Sequence, residues 1–373
     1  MNTLAEELGL VCAADIGLTS IEYTCFDGEQ AFSQTLTLTS TGVNTSKLNR
    51  LEQFVAEFAD ICSRMTGEQV HGLYSPLTLG LAAALACGAF TFLLGGGWVE
   101  MILAFFGAGI GNAVRCKLSK HHLTLVLCTT VSVAAACLVY AGCLKIAEMT
   151  CGINVQHEAG YICSMLFIIP GFPFITSGID MAKLDMRSGL ERLSYAVMIV
   201  LIATMAAWLM ALALHLKPVD FLPLNLSMLQ YIVFRLLTSF CGVFGFSIMF
   251  NSPVPLAMSA AVIGAISNTL RLELVDLASL PPAAAAFFAA MIAGLLASAY
   301  KKHSGFPRIA ITVPSIVIMV PGLYLYRAIY NLGMMNLSIS ASWFASATLI
   351  ILALPLGLIF ARIMTDKMFR YCT

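Results

Sequence analysis

Residues 77–94 read LTLGLAAALACGAFTFLL, an uncharged apolar run that follows Pro76. A helix needs about 20 mostly apolar residues to cross the hydrocarbon core of a bilayer. Similar runs recur to the end of the chain, and we place ten of them. They lie near 77–94, 98–114, 123–147, 160–179, 190–214, 227–249, 254–270, 282–300, 309–330 and 342–363. The sequence therefore predicts an all-α polytopic membrane protein with about ten transmembrane helices.

The composition of the whole chain agrees with burial in a membrane. Hydrophobic residues make up 59% of the 373 positions, and charged residues only 11%. Soluble domains average about 25% charged residues, because a water-facing surface needs polar cover. The formal net charge is zero, which argues against a nucleic-acid partner. The twelve cysteines include no C-x-x-C pair, so we expect no disulfide framework, no metal site and no cofactor.

Residues 1–72 have a different texture, and we expect them to form a small α+β soluble segment. Residues 21–26 and 32–39 read as strands. A helix follows over about residues 44–65, because its apolar positions recur at spacings of three and four. The acidic start of the chain lacks the basic and apolar regions of a cleaved signal peptide. A segment of this size is expected to lean on the rest of the chain for stability.

Lysine and arginine residues predict the orientation. With residue 1 in the cytoplasm and ten spans, twelve of these residues fall in cytoplasmic segments and four fall in the opposite loops. The twelve are Arg115, Lys117, Lys120, Lys183, Arg187, Arg192, Lys301, Lys302, Arg308, Arg362, Lys367 and Arg370, and the four are Lys145, Lys217, Arg271 and Arg327. This asymmetry follows the positive-inside rule. We therefore predict a multi-pass protein of the cytoplasmic (inner) membrane with both termini in the cytoplasm.

Three landmarks of the sequence occur twice in the same order. Ala86–Phe92 resembles Phe240–Phe246, Asn112–Arg115 resembles Asn268–Arg271, and Ile169–Gly171 resembles Val320–Gly322. Their offsets of 154, 156 and 151 residues are similar. An odd number of helices per copy makes the second copy enter the membrane from the other side. We therefore predict two inverted five-helix modules, residues 73–216 and 217–373, an arrangement that in secondary transporters places the substrate site between the repeats.

Helix-breaking residues stand at matching places of the two modules. Pro170 and Gly171 lie in the fourth predicted span, and Pro321 and Gly322 lie in the ninth. Proline and glycine unwind a helix, and the freed backbone groups then need protein, water or ligand partners. A kink that only helps packing is the alternative for either segment alone. The matched pair favours the substrate pathway.

Charged residues in or beside apolar spans are candidate functional groups, because a charge at a helix centre costs about 2.5–3.5 kcal/mol. Asp180 is a candidate proton or ammonium acceptor at the cytoplasmic edge. The following Asp185, Arg187 and Arg192 belong either to a gating loop or to a solvated loop that only fixes topology. Arg235 in the sixth span could bind a carboxylate or extend towards the membrane surface.

Two asparagines, Asn112 and Asn268, occupy matching repeat positions and could bind a ligand or bridge neighbouring helices. The sequence offers no Ser-His-Asp or H-E-x-x-H arrangement from which to assemble a catalytic site with confidence. We therefore expect a transporter and no enzyme. An intramembrane enzyme and a channel-like subunit are the rival hypotheses, and flux without a proton gradient would favour the channel.

The order of these landmarks resembles the threonine/serine exporter family, whose members combine a soluble N-terminal segment with two five-helix modules. The matching first-module residues are Pro170-Gly171, Asp180, Asp185, Ser188-Gly189 and Arg192, and the matching second-module residues are Phe244–Phe246, Asn251–Pro253, Arg271 and Val320–Gly322. In some members the modules are separate chains, whereas here they are fused. Two features depart from the family: the soluble segment is short, and Ile179 precedes Asp180 where an arginine is expected.

The resemblance implies efflux of small hydroxylated amino acids, threonine or serine, by antiport with protons. Some relatives move dicarboxylates such as succinate instead, and the residue spacing does not choose between these substrates. On this hypothesis the helix breaks or Arg235 bind the substrate carboxylate, and Asp180 binds the ammonium group or the coupling proton. The expected partners are thus the substrate, protons and the lipid bilayer, with homo-oligomerisation left open.

Overall fold

The computed structural model describes residue 5 and residues 10–17, 20–28, 30–37, 44–56, 73–121, 123–152 and 157–371. Its N-terminal part is an antiparallel sheet in the order β1 (Val11–Ile16), β2 (Ser20–Phe26) and β3 (Ala31–Thr37), followed by helix α1 (Thr45–Ala56). The two predicted strands and the start of the helix are confirmed. The predicted helical residues after Ala56 lie outside the described part of the chain. Strand β1 was not predicted, because its central alanines are weak strand formers.

Twelve helices make up the membrane part within the described residues, and a short one follows them. They are α2 (Pro76–Leu93), α3 (Trp98–Lys120), α4 (Leu125–Cys151), α5 (Gly160–Ser164), α6 (Gly171–Ala182), α7 (Met186–Ala213), α8 (Met228–Met249), α9 (Val254–Asp276), α10 (Pro282–Ser304), α11 (Arg308–Ile316), α12 (Gly322–Gly333), α13 (Leu337–Thr365) and α14 (Lys367–Tyr371). Two 3₁₀ turns, Leu166–Ile168 and Val317–Met319, extend α5 and α11.

Ten spans result when each bent helix pair is counted as one. Within the described ranges, eight single helices are long and apolar enough to cross a membrane. The pair α5–α6 bends by 55° and the pair α11–α12 by 45°. The prediction of about ten spans is confirmed. The spans predicted at 98–114 and 254–270 were too short, because α3 continues to Lys120 and α9 to Asp276. Charged side chains at such helix ends can reach the membrane surface.

The two modules repeat one packing pattern. In the first, α3 packs on α2, α4 and α5, and α7 packs on α4 and α6; in the second, α9 packs on α8, α10 and α11, and α13 packs on α10 and α12. Left-handed backbone positions recur in the loops as Gly95 and Asn251, Gly152 and Gly305, and Leu184 and Met335. The repeated sequence landmarks therefore mark two copies of one fold. Because each copy has five spans, the copies run in opposite directions.

The N-terminal segment packs against one end of the helix bundle, which we call the sheet end. Arg187 at the start of α7 pairs with Asp15 of β1. Thr45 Oγ1 of α1 lies 2.6 Å from Ser252 Oγ in the α8–α9 connection. The opposite end, where α2 ends and α3 begins, is called the far end. The boundaries of the three predicted segments, 1–72, 73–216 and 217–373, stay predictions.

Candidate functional site

The two helix breaks lie against each other where the modules cross. A Cβ atom on Gly171 would lie 2.6 Å from Val317 Cγ2, and one on Gly322 would lie 2.9 Å from Leu166 Cδ2. The offset of 151 residues relates Gly171 to Gly322 and Leu166 to Val317, so these are two copies of one contact. Glycine is required at both positions, because a side chain would force the close-packed breaks apart.

Both predicted breaks are therefore present, with Pro170 and Pro321 as the residues that precede the new helices. Pro321 lines a cavity, and Pro170 is absent from that lining. The first break therefore contributes to the contact between the two breaks, while the second contributes to that contact and also lines the cavity. A role for either break in a substrate pathway stays a prediction.

The cavity has a volume of about 860 Å³ and lies at the far end. The end of α2, the loop from α7 to α8, the start of α8, the end of α9 and the helices α12 and α13 supply its walls. Its aromatic side chains include Phe90, Phe92, Phe221, Tyr231, Tyr324 and Trp343, and its arginines are Arg235, Arg271 and Arg327. Cavities of several hundred cubic ångströms with a few convergent polar groups are typical of small-molecule sites.

Arg235 lies in the cavity wall with its charge matched by two carboxylates of α9. Its Nη1 donates to Glu273 Oε1 at 2.7 Å, and its Nη2 pairs with Asp276. Its guanidinium also lies 5.3 Å from the centre of the Tyr231 ring. Arg235 therefore binds carboxylates, as the carboxylate-binding hypothesis requires, but in this structure those carboxylates belong to Glu273 and Asp276 of the protein.

Arg327 forms a second arginine–carboxylate pair at the cavity. Its Nη2 lies 2.8 Å from Asp220 Oδ1, and its guanidinium lies 5.0 Å from the centre of the Trp343 ring. Asp220 belongs to the α7–α8 loop and is 89% exposed, whereas Arg327 is 12% exposed. A ligand carboxylate could therefore replace Asp220 without leaving a buried acid behind.

Arg271 is the cavity arginine without a carboxylate partner among the residues that the structure describes. Its Nη1 lies 3.5 Å from the Met319 carbonyl oxygen, and its Nε has no hydrogen-bond partner. Met319 immediately precedes the second helix break. Arg271 is half-buried, and a partly desolvated cation without a counter-ion is costly, so this position favours an anionic ligand. In the sequence, Arg271 stands out only as a loop charge and as part of a repeat and a family landmark. The sequence signal that could have identified Arg271 is its position as a cation next to a predicted span, on the side of the membrane where few lysines and arginines lie.

Asp180 and Arg192 come together at the sheet end, away from the cavity. Asp180 Oδ2 lies 3.3 Å from Arg192 Nη1, and Asp180 is 17% exposed. Lys183 lies beside them in the α6–α7 connection, where burial and repulsion from Arg362 lower its pKa from the ordinary value. The structure thus brings together the predicted coupling residue and one predicted gating residue.

The other two predicted gating residues have structural contacts. Asp185 Oδ1 accepts from the Ser188 backbone N–H at 3.2 Å and so caps α7. Arg187 pairs with Asp15, and its Nε lies 3.3 Å from Glu191 Oε1. The Arg187–Asp15 pair joins the N-terminal sheet to the bundle, and the other two contacts lie within the start of α7.

The two matched asparagines bridge matched pairs of helices. Asn112 Nδ2 donates to the Leu79 carbonyl at 2.8 Å and so joins α3 to α2. Asn268 Nδ2 donates to Ser239 Oγ at 2.8 Å and so joins α9 to α8. Neither residue lines the cavity. The geometry matches the helix-bridging alternative.

Two buried polar contacts were not predicted. Glu100 Oε1 of α3 lies 2.7 Å from His157 Nδ1, and Tyr161 Oη of α5 lies 2.6 Å from Tyr326 Oη of α12. The second contact joins the two modules. Glutamate at the start of an apolar span was a signal for the first contact. Two tyrosines so far apart in sequence offered none for the second.

Comparison with known proteins agrees with this architecture. A family model described as "Putative threonine/serine exporter" matches residues 1–215, and a second, "Threonine/Serine exporter, ThrE", matches residues 235–364. "Probable succinate transporter subunit YjjP" of Escherichia coli (strain K12) is 24% identical over 230 residues, which cover 57% of this chain and 87% of that protein. The protein of that name from Klebsiella aerogenes is 25% identical over 233 residues, which cover 57% and 86%.

No solved structure matches the chain. The first family match spans more than half of the chain, and the second falls within the other predicted module. The resemblance found in the landmark residues is therefore confirmed, and the chain belongs to the threonine/serine exporter family of multi-pass membrane transporters.

Proposed function

We propose that the protein exports a small metabolite that carries a carboxylate, with threonine or serine as the first candidates, in exchange for protons. The observation that carries this proposal is Arg271 in the far-end cavity, without a protein carboxylate beside it in the described chain. A guanidinium donates two parallel hydrogen bonds to a carboxylate, which fixes the orientation of the ligand as well as its position. Hydroxylated amino acids and dicarboxylates both supply that group.

Positive-inside orientation makes the far end the extracytoplasmic side and the sheet end the cytoplasmic side of the inner membrane. The cavity would then face outwards, while the Asp180–Arg192 pair lies at the cytoplasmic end. Asp180 and Arg235 lie at opposite ends of the molecule, so one bound amino acid does not contact both in this conformation. We therefore propose Asp180 as a gating and coupling residue, with Arg271 as the carboxylate ligand.

The ammonium group of an amino acid needs an acceptor, and the acids at the cavity supply candidates. Asp220 is 89% exposed and Asp276 is 50% exposed, and each pairs with an arginine. An ammonium group could take over Asp276 while the amino-acid carboxylate binds Arg271, because Arg235 would keep Glu273 as its partner. The ion pairs would be exchanged in this way, and no charge would be left unmatched.

A dicarboxylate such as succinate is the second candidate substrate. The name of two relatives, "Probable succinate transporter subunit YjjP", favours it, and so does the presence of Arg327 in the same cavity. One substrate carboxylate would bind Arg271, and the other would replace exposed Asp220 at Arg327. These relatives are called subunits, which supports a proposal of assembly into oligomers, including homo-oligomers.

Efflux from preloaded cells tests the proposal. Cells with and without the gene are loaded with a threonine-containing dipeptide, and threonine release is followed before and after an uncoupler. We expect faster release in cells with the gene and loss of the difference after the uncoupler. A parallel assay with succinate distinguishes the second candidate. Gene-dependent release that survives the uncoupler would favour a channel.

A further inference from the structure

A buried carboxylate and an imidazole form a pair at the far end, next to the turn from α2 to α3. Glu100 Oε1 lies 2.7 Å from His157 Nδ1, with side chains that are 1% and 17% exposed. The other oxygen, Glu100 Oε2, accepts from the Gly97 backbone N–H at 2.9 Å. No lysine or arginine pairs with Glu100 in the described ranges. The imidazole is therefore the group that can balance its charge.

The imidazole is held in place from two sides. Tyr140 of α4 donates its hydroxyl to the His157 carbonyl oxygen at 2.6 Å. That hydroxyl also lies where a side chain on Gly160 would be, so the start of α5 fits closely over it. The small exposed fraction of His157 gives the pair contact with solvent, while Glu100 stays away from water.

Around the pair, in the described part of the chain, no lysine or arginine forms an ion pair with Glu100 or His157. Tyr140 of α4 and Cys163 of α5 both interact electrostatically with Glu100. Cys87 of α2 and Arg327 of α12 in turn interact with Cys163. Glu158 follows His157 in sequence, but its carboxylate accepts from the Lys217 backbone N–H at 3.0 Å. When Glu100 is ionised and His157 is neutral, the pair carries one negative charge. When the pair binds one additional proton, its net charge is zero.

The pair is connected to two parts of the molecule that a transport cycle would move, the cavity lining and the contact between the two modules. A Cβ atom on Gly97, the residue that Glu100 caps, would lie 3.5 Å from Leu224 Cδ2, and Leu224 lines the cavity. The hydroxyl of Tyr161, four residues after His157, forms a 2.6 Å hydrogen bond with the hydroxyl of Tyr326 in the second module. Tyr326 precedes the cavity residue Arg327. A change of charge at the pair therefore acts on the packing of the cavity and on the contact between modules.

From this geometry we infer that the Glu100–His157 pair is the proton-binding site of the outward-facing state, an inference that rests on the proposed proton-coupled export. A proton from the far side adds to the pair and takes it from one negative charge to neutral. The same proton leaves the pair towards the cytoplasmic side after the modules rearrange, so that one proton enters for each cycle of this site. Asp180, at the sheet end, is a separate group.

Two transport assays on purified protein in liposomes separate proton coupling from binding. One measures uptake of labelled threonine or succinate driven by an acidic interior, and the other measures exchange of labelled for unlabelled substrate at equal pH. We expect Glu100→Gln and His157→Gln to lose the gradient-driven uptake and to keep the exchange. Glutamine keeps an oxygen for the Gly97 N–H, so the helix start is retained. Glu158→Gln is the matched control and should keep both activities.

Gradient-driven uptake by both variants at the wild-type level would overturn the inference, and so would equal loss of uptake and exchange in folded variants, since that is the result of a structural role. Size-exclusion profiles report folding, and if Glu100→Gln does not fold, His157→Gln decides. A wild-type protein that exchanges neither threonine nor succinate would instead overturn the proposed function and this inference with it.

Discussion

The first and second modules share their backbone features and differ in their charges. Both have the proline-glycine break, the bridging asparagine and the left-handed residue before the last span. The first module has Asp180 and Arg192 at the sheet end, and the equivalent residues of the second module are Asn331 and Trp343. The second module has Arg327 stacked on that tryptophan at the far end, beside the cavity.

This difference teaches which features an inverted repeat must retain. The glycines, prolines and asparagines serve contacts that occur once in each copy, so each copy needs its own. The charges lie at opposite ends of the molecule, where the two copies meet different surroundings. A transporter with identical ends would have no chemical difference between loading and release. Divergence of the charges supplies that difference.

The largest effect should come from removing the first-module charge. Asp180→Asn leaves Arg192 without its carboxylate and removes a group that can bind a proton, so we expect coupled export to fall to the background of cells without the gene. The measurement is uncoupler-sensitive threonine efflux, with surface abundance as the check on folding. Glu52→Gln, an exposed carboxylate at the same end, is the control. Normal coupled efflux from Asp180→Asn would remove Asp180 from the mechanism.

Removing the unmatched second-module charge should have the next largest effect. A hydrogen bond to a charged group contributes about 2 kcal/mol, so Arg271→Gln should raise the half-saturation concentration about 30-fold for substrate binding from the far side. Arg271→Lys should recover only part of it, because lysine lacks the planar fork. Lys217→Gln removes an exposed far-end cation and controls for long-range attraction. Similar effects of Lys217→Gln and Arg271→Gln would mean that Arg271 acts only by long-range electrostatic attraction of the substrate and not by direct binding.

The shared glycines test whether the modules are equivalent at the crossing. We expect Gly171→Ala and Gly322→Ala each to lower the free energy of unfolding by about 1–3 kcal/mol, through overpacking against the other break. The closer contact makes Gly171→Ala the more severe. Thermal unfolding in detergent measures both. Gly142→Ala, a mid-helix site with open space around its Cβ position, should be neutral or stabilising. Equal behaviour of all three variants would contradict the close contact.

The smallest effect should come from the hydroxyl pair that joins the modules. Tyr161→Phe or Tyr326→Phe leaves the other buried hydroxyl unpaired and should cost about 1–2 kcal/mol. The double variant should cost less than the two single costs together, because both lose the same bond. Tyr300→Phe, at a site that is 40% exposed, is the control. Additive losses in the thermal unfolding of the double variant would show that the two hydroxyls act independently.

Much of the architecture could be predicted from the sequence. Apolar runs such as residues 77–94 predicted ten spans, since the thickness of the membrane determines how long an apolar helix must be to cross it. Repeated landmarks such as Asn112 and Asn268 predicted two copies of one fold. Pro170-Gly171 and Pro321-Gly322 predicted the breaks, because proline and glycine interrupt helices whatever surrounds them. Each of these signals is local in the chain, and local chemistry determines its structural result.

Only the tertiary structure decided which polar groups meet. Arg235 and Glu273 face each other across two helices, Tyr161 meets a residue of the other module, and Arg271 lies in a cavity with no carboxylate beside it in the described chain. A side chain's partner depends on the rotation and crossing of whole helices, which the sum of many weak packing contacts sets. The sequence determined how many helices cross the membrane and where they break. Packing decided which charges are matched and which arginine has no carboxylate partner in the described chain.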